Sequence, residues 1–230
     1  MDKHQVQYQT VRFTLNGKEV EKTVDVRASL TDMLRNDFRM QSVKKGCEVG
    51  ECGACTVIID GETLNSCLYL AVWAEGKNIH TLESLVGPNG ELSDIQQAFV
   101  EEAAIQCGFC TPGFIMTAQE IIETGKEYTD DELRKLLSGH LCRCTGYENV
   151  LRAVKKAIKN LVASGMGVSI ISKRAAGNFL REKRLLAFDL PEDSSKRNLY
   201  VMCRSDRSDD PYIKNFVEFM TRYFEVKEKN

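Results

Sequence analysis

The chain has 230 residues, 43% of them hydrophobic, and 31 Lys and Arg against 33 Asp and Glu give a formal net charge of -2; this allows one generous domain or two small ones and excludes a disordered chain. Basic residues are spread along the sequence rather than gathered into a stripe, so no nucleic-acid partner is expected. Met1 to Thr10 is polar and no later stretch has the length and apolarity of a membrane span, so no membrane partner is expected and the protein is placed in the cytoplasm.

From Val6 to Asp25 apolar and polar residues alternate around Asn16-Gly17, which predicts a hairpin with a primed turn. Ser29 caps a short helix with Asp32 in its first turn and Leu30, Met33 and Leu34 on its apolar side. Cys55 to Asp60 and Glu62 to Cys67 read as two strands about Asp60-Gly61, and Lys77 to His80 as another, so the first part is a small mixed sheet with one helix. At Leu92 the period becomes helical: Leu92, Ile95, Phe99 and Ala103 share a face, and Ser93 with Gln96 forms a capping box. Thr111-Pro112 opens a second helix carrying Phe114, Ile115, Ala118, Ile121 and Ile122. Thr129 with Glu132 opens a third with Leu133, Leu136 and Leu137, and Thr145 with Glu148 a fourth through Val150, Val154, Ile158 and Leu161. Four helices on short connections predict an antiparallel bundle. After Ala163 the pattern reads as strand, helix, strand, strand, helix. Residues 162–230 carry a net charge of +3 and residues 1–161 one of -5, a shift that supports a boundary.

Nine cysteines in a chain expected in a reducing compartment point to metal or redox chemistry rather than to disulfides. Cys47, Cys52, Cys55 and Cys67 follow C-x4-C-x2-C-x11-C, whose first two steps are the plant-type [2Fe-2S] spacing. Gly46, Gly50 and Gly53 fit a loop that wraps its backbone around an inorganic core and turns amides toward sulfur. Cys107, Cys110, Cys142 and Cys144 form C-x2-C and C-x-C at the junctions between predicted helices, which gathers four thiolates at one end of the bundle. Cys203, on a predicted strand, reads as an ordinary buried small residue. Two four-thiolate zinc sites are the competing reading, disfavoured because x4 and x1 separations are less typical of zinc pairs. A Rieske centre needs two histidines beside two cysteines, a grouping that His4, His80 and His140 do not offer; they read as solvated or capping side chains.

KGCEVGECGACTVIIDG, QCGFCTPGFIM and LCRCTGYENV resemble, in order and spacing, the iron-sulfur subunit of the molybdenum hydroxylases, the xanthine dehydrogenase and aldehyde oxidoreductase family, over about Gln7 to Lys159. SCLYLAVWAEGK is most similar to bacterial xanthine dehydrogenase small subunits. The resemblance implies an α+β chain: a β-grasp ferredoxin-like domain over 7–84, a four-helix [2Fe-2S] domain over 85–161, and a partial α/β segment over 162–230. It implies one [2Fe-2S] cluster on Cys47, Cys52, Cys55 and Cys67 and another on Cys107, Cys110, Cys142 and Cys144. It further implies molybdopterin on a large partner subunit and FAD on a medium one, with electrons passing from molybdenum through both clusters to flavin, in purine hydroxylation. Gln106 matches the family glutamine that contacts the pterin, and Cys144 the ligand that bridges toward it. The chain has no G-x-G-x-x-G and no flavin-binding stretch, so substrate chemistry falls to partners and no catalytic residue is expected here. From Ile158 to Tyr223 the tail resembles the C-terminal end of the effector-binding domain of LysR-type regulators, without a winged helix-turn-helix. The alternative is a stand-alone electron carrier or a redox-sensing fusion protein.

Overall fold

Two dipeptides set the sheet. Asn16 and Gly17 take φ of 50° and 77°, and Asp60 and Gly61 take 52° and 91°, the left-handed pairs that a two-residue hairpin needs to match strand twist. The first pair joins β1 (Tyr8–Leu15) to β2 (Lys18–Asp25), and the second joins β3 (Thr56–Ile59) to β4 (Glu62–Asn65). Residues 6–126, 128–163 and 177–185, with Pro211, Asn215 and Glu218, are described by a computed structural model. A fifth strand, β5 (Asn78–His80), lies between the hairpins, giving the order β2-β1-β5-β3-β4, with β1 parallel to β5 and the other pairs antiparallel. Both turns and all three strand regions are as expected.

One face of this sheet buries Val11, Phe13, Leu15, Val57, Ile59 and Ile79 against Leu30, Met33 and Leu34, each large side chain contributing about 2 kcal/mol. The short helix α1 (Leu30–Asp32) starts as predicted, with the Ser29 Oγ accepting from the Asp32 N–H at 3.1 Å. It continues, unexpectedly, as a π-helical turn over Met33–Asp37, closed by the Phe38 N–H on the Met33 carbonyl. The wider turn carries the Phe38 ring to an edge-on contact with Phe13, centroids 5.5 Å apart.

The second core belongs to α2 (Asp94–Glu101), α3 (Thr111–Glu123), α4 (Asp130–Leu137) and α5 (Tyr147–Ala163). Ile95, Phe99, Phe114, Ile121, Leu133, Leu137, Leu151 and Val154 fill it. The Thr129–Glu132 capping box forms. Three expectations are corrected. Leu92 and Ala103 fall outside α2: Ala103 turns left-handed at φ 51°, and the Ala104 N–H closes on the Phe99 carbonyl, ending the helix. Thr145 does not cap the fourth helix, because it too is left-handed (φ 62°) and its hydroxyl donates to the Cys144 carbonyl; α5 begins at Tyr147. His140 is neither solvated nor a cap but 4% exposed. The two cores meet where α3 lies against β3, all four of whose residues are buried, and the Thr63 hydroxyl of β4 donates to Glu120 of α3 at 2.5 Å. A short helical turn spans Gly177–Arg181, and Pro211, Asn215 and Glu218 are each helical. His4, Cys203 and the strands expected of the tail lie outside the described residues.

Candidate metal centres

Between the π-turn and β3 the chain gives up regular structure. Glu48, Gly50 and Gly53 take φ of 57°, 82° and 66°, and the Lys44 N–H closes the loop on the Ala54 carbonyl. Inside this curl the N–H groups of Val49 and Glu51 donate to Cys47 Sγ at 3.5 and 3.2 Å. A Cβ on Gly46 would lie 2.7 Å from Cys52 Sγ, so only glycine lets the sulfur approach there. The far side is anchored by Asn65, whose Nδ2 donates to the Gly50 carbonyl, and by Ser66, whose hydroxyl donates to the Cys55 carbonyl. These contacts bring Cys67 back to the loop.

The second set is built from two loops. In one, Gly108 (φ 80°) turns the chain so that Cys110 stands at the head of α3, followed by Pro112 in its first turn. In the other, the Gly146 N–H donates to Cys142 Sγ at 3.4 Å and the Cys142 N–H donates to the Tyr147 hydroxyl at 2.8 Å. Gln106 Nε2 donates to the Cys144 carbonyl at 3.2 Å, tying the two loops together.

The thiols of each set divide into pairs. Cys47 is lowered to about 7, first by the Val49 amide and then, against desolvation, by the Cys52 thiol and the Glu51 and Cys52 amides. Cys67 is pushed up to about 11 by burial and by the neighbouring Cys55 thiol. In the second set Cys107 is lowered by the Phe109 amide and the Cys144 thiol, while burial and the Cys142 thiol push Cys110 up to about 12. One pair of each set therefore rests on a hydrophobic core: Cys55 and Cys67 on the sheet core, Cys110 and Cys142 on the helical core. Of the other pair, Cys47 with Cys52 and Cys107 with Cys144, Cys107 is exposed and the rest are half-buried.

Among the described residues no three His, Cys, Asp or Glu side chains converge as a single ion would require. Two adjacent thiol pairs, with amides aimed at sulfur and glycines where a Cβ would intrude, are a donor set that could hold a dinuclear iron-sulfur core, all four thiols losing their protons on binding. Of the residues picked out by spacing, the structure brings Cys47 to Cys52, Cys55 to Cys67, Cys107 to Cys144 and Cys110 to Cys142, and sets Gln106 against Cys144. Sequence reasoning missed His140, which packs between the two loop systems, and Tyr147, which holds the Cys142 amide. His140 carries no local signal, since its burial depends on α3 and the Cys52 loop, whereas Tyr147 ends the loop that carries Cys142.

The likeness to known proteins covers both cysteine sets. Residues 13–80 match the family model described as the 2Fe-2S iron-sulfur cluster binding domain, residues 81–155 the [2Fe-2S] binding domain, and residues 155–225 the LysR substrate binding domain. The chain is 47% identical over 148 residues to the caffeine dehydrogenase subunit gamma of Pseudomonas sp. (strain CBB1), an alignment covering 63% of this chain and 88% of that one. It is 47% identical over 147 residues to the xanthine dehydrogenase iron-sulfur-binding subunit of Escherichia coli O157:H7, covering 63% and 91%. Among solved structures, quinoline 2-oxidoreductase from Pseudomonas putida 86 superposes with a TM-score of 0.65 at 41% identity, over 70% of this chain and 99% of the matched one.

Proposed function

Because the chain belongs to the iron-sulfur subunits of the xanthine-dehydrogenase-like molybdenum hydroxylases, an enzyme family, and carries two 2Fe-2S binding domains, we propose that it relays electrons from a molybdopterin-binding large subunit to an FAD-binding medium subunit. In this reading Cys47, Cys52, Cys55 and Cys67 hold one cluster and Cys107, Cys110, Cys142 and Cys144 the other, in domains spanning 7–84 and 85–161, with 162–230 a third segment. Each cluster, when bound, supplies one reversible electron. The chain's own residues fix where that electron rests and how it leaves. Amides of Val49 and Glu51 on Cys47, and of Gly146 on Cys142, favour the reduced, more negative state. Gln106, exposed, is tied to the half-buried Cys144 at the helical cysteine set, an arrangement suited to the pterin-bearing partner. Leu68, Val49 and Trp73 are exposed on the ferredoxin-like part, where Leu68 packs against Gly50, and suit the flavin-bearing partner.

The observation that carries this reading is the pairing of eight thiols in two sets. Purine hydroxylation, with xanthine as substrate, is the activity proposed for the complex, and the cytoplasm its place. Among the described residues no helix is long and apolar enough to cross a membrane. The match of residues 155–225 to the LysR substrate binding domain favours one second reading, a redox-sensing fusion in which the tail takes a small molecule. Iron, zinc and acid-labile sulfide content, with an electron paramagnetic resonance spectrum after dithionite, tests the relay on anaerobically purified protein. About four iron and four sulfide with two distinct signals are expected; two zinc and no sulfide would overturn it. Co-purification with molybdopterin and FAD supports the heteromeric relay, whereas a cluster-bearing monomer that responds to a small ligand supports the fusion.

A further inference from the structure

The loops of the two cysteine sets touch. The Leu141 N–H donates to the Cys52 carbonyl at 3.0 Å, so a continuous covalent and hydrogen-bonded route runs from Cys52 Sγ through its own Cβ, Cα and carbonyl, across that bond, and along the Leu141 backbone to Cys142 Sγ. Leu141 itself is 59% exposed, so burial of its side chain adds little to hold the contact. The residue before it does. His140 is 4% exposed; its Nε2 lies 2.7 Å from the Thr117 hydroxyl, itself buried on α3, and its ring stacks obliquely on Phe114 at 4.7 Å. Nδ1 is the one buried side-chain nitrogen or oxygen among the described residues without a hydrogen-bond partner, and it is pressed against the backbone of Gly53. A Cβ on Gly53 would collide with Nδ1 and come within 2.6 Å of the Gly139 carbonyl, and one on Gly113 would collide with the Gly53 carbonyl and reach Nδ1 at 3.1 Å. An imidazole wedged this tightly between two glycines leaves neither loop room to slip past it.

We propose that His140 is a positioning residue, pinned to α3 through Thr117, that clamps the Cys52 loop to the Cys142 loop and keeps the Leu141–Cys52 hydrogen bond closed as the electron route between the two clusters. The proposal rests on the relay reading above. With both groups bound, the step it serves would move one electron and no proton, from the group held on the Cys142 side to the one held on the Cys52 side.

The test uses the full chain in its native complex, comparing His140→Leu, His140→Gln and Thr117→Val with the unaltered protein. Expected for His140→Leu and Thr117→Val are unchanged iron and sulfide, faster hydrogen exchange at the Leu141 amide, loss of the spin–spin splitting between the two reduced signals, and slower electron equilibration between clusters. His140→Gln places an amide nitrogen near the Nε2 position and restores the splitting and the protection. Wild-type exchange and splitting in both disrupting variants would overturn the proposal. If His140→Leu loses iron, Thr117→Val decides by the same two readouts. Failure of the relay reading shows separately, as absence of iron and sulfide from the unaltered protein.

Discussion

The close approach of the two cysteine loops makes Gly53 and Gly61 an informative pair. Both have positive φ, 66° and 91°, but a Cβ on Gly61 meets nothing within 4 Å, whereas one on Gly53 meets His140 and the Gly139 carbonyl. Gly61→Ala therefore carries only the left-handed backbone penalty, about 1–2 kcal/mol. Gly53→Ala adds to this the displacement of a backbone carbonyl and a buried ring, about 1–3 kcal/mol more. In a chain of this length about 1 kcal/mol lowers the melting temperature by 2–4 °C, so Gly61→Ala is expected to melt about 2–8 °C low and Gly53→Ala, at about 2–5 kcal/mol in all, about 4–20 °C low. Thermal melts followed by visible absorbance and far-ultraviolet dichroism on the same samples give both values, and Gly53→Ala alone should lose iron early. Equal shifts for the two variants would refute the close-contact argument, because backbone conformation would then account for everything.

Other consequences follow from single contacts. Glu83 accepts from the Ser42 N–H and hydroxyl and from the Thr81 hydroxyl, and these bonds hold its carboxyl below the ordinary range although burial opposes them. Because its folded value is depressed, its contribution is present above the unfolded value and lost as pH falls through the folded one. Glu83→Gln should flatten the acid limb of a stability–pH curve and lower stability near neutrality by about 1 kcal/mol, the site being partly open to solvent. Phe114→Ala, which removes a fully buried ring touching His140 and Tyr147, should cost about 3–5 kcal/mol in a denaturant melt. Thr129→Ala, which deletes the α4 cap, should cost about 1 kcal/mol by the same measurement. In cluster-free protein at pH 7, iodoacetamide should label Cys47, lowered to about 7, far ahead of Cys110, raised to about 12; mass spectrometry of the peptides checks the order.

Local chemistry was readable wherever it was decided locally. Asn16-Gly17 and Asp60-Gly61 announce their turns because few other dipeptides accept two consecutive positive φ values, and Ser29, Thr129 and Pro112 mark helix starts for equally local reasons. The spacing of the cysteines was readable too, since a cluster loop must return its thiols within a few residues. Thr145 shows where this fails: T-x-x-E is a good capping box, yet the loop needs Thr145 left-handed so that Gly146 can turn its amide to Cys142. The π-turn after α1 is another case, set by Phe38 reaching Phe13 across the core rather than by any residue within the turn. His140 was misread because its burial depends on α3 and on the Cys52 loop, both distant in sequence.

The two cores explain why the cysteine loops can be so irregular. A loop with several left-handed residues has little regular hydrogen bonding of its own, and left alone it would sample many shapes. Each set is therefore tethered at one pair: Cys55 and Cys67 sit on the sheet core, Cys110 and Cys142 on the helical core. Short amide contacts to Cys47 and Cys142 add to this tethering. Tethering fixes each loop to its own core but not to the other, and the cores themselves meet along β3 and α3. The loops consequently need a joint of their own, and the Gly53, Gly113 and His140 contact, too tight to admit a Cβ on either glycine, supplies one beside the Leu141–Cys52 bond.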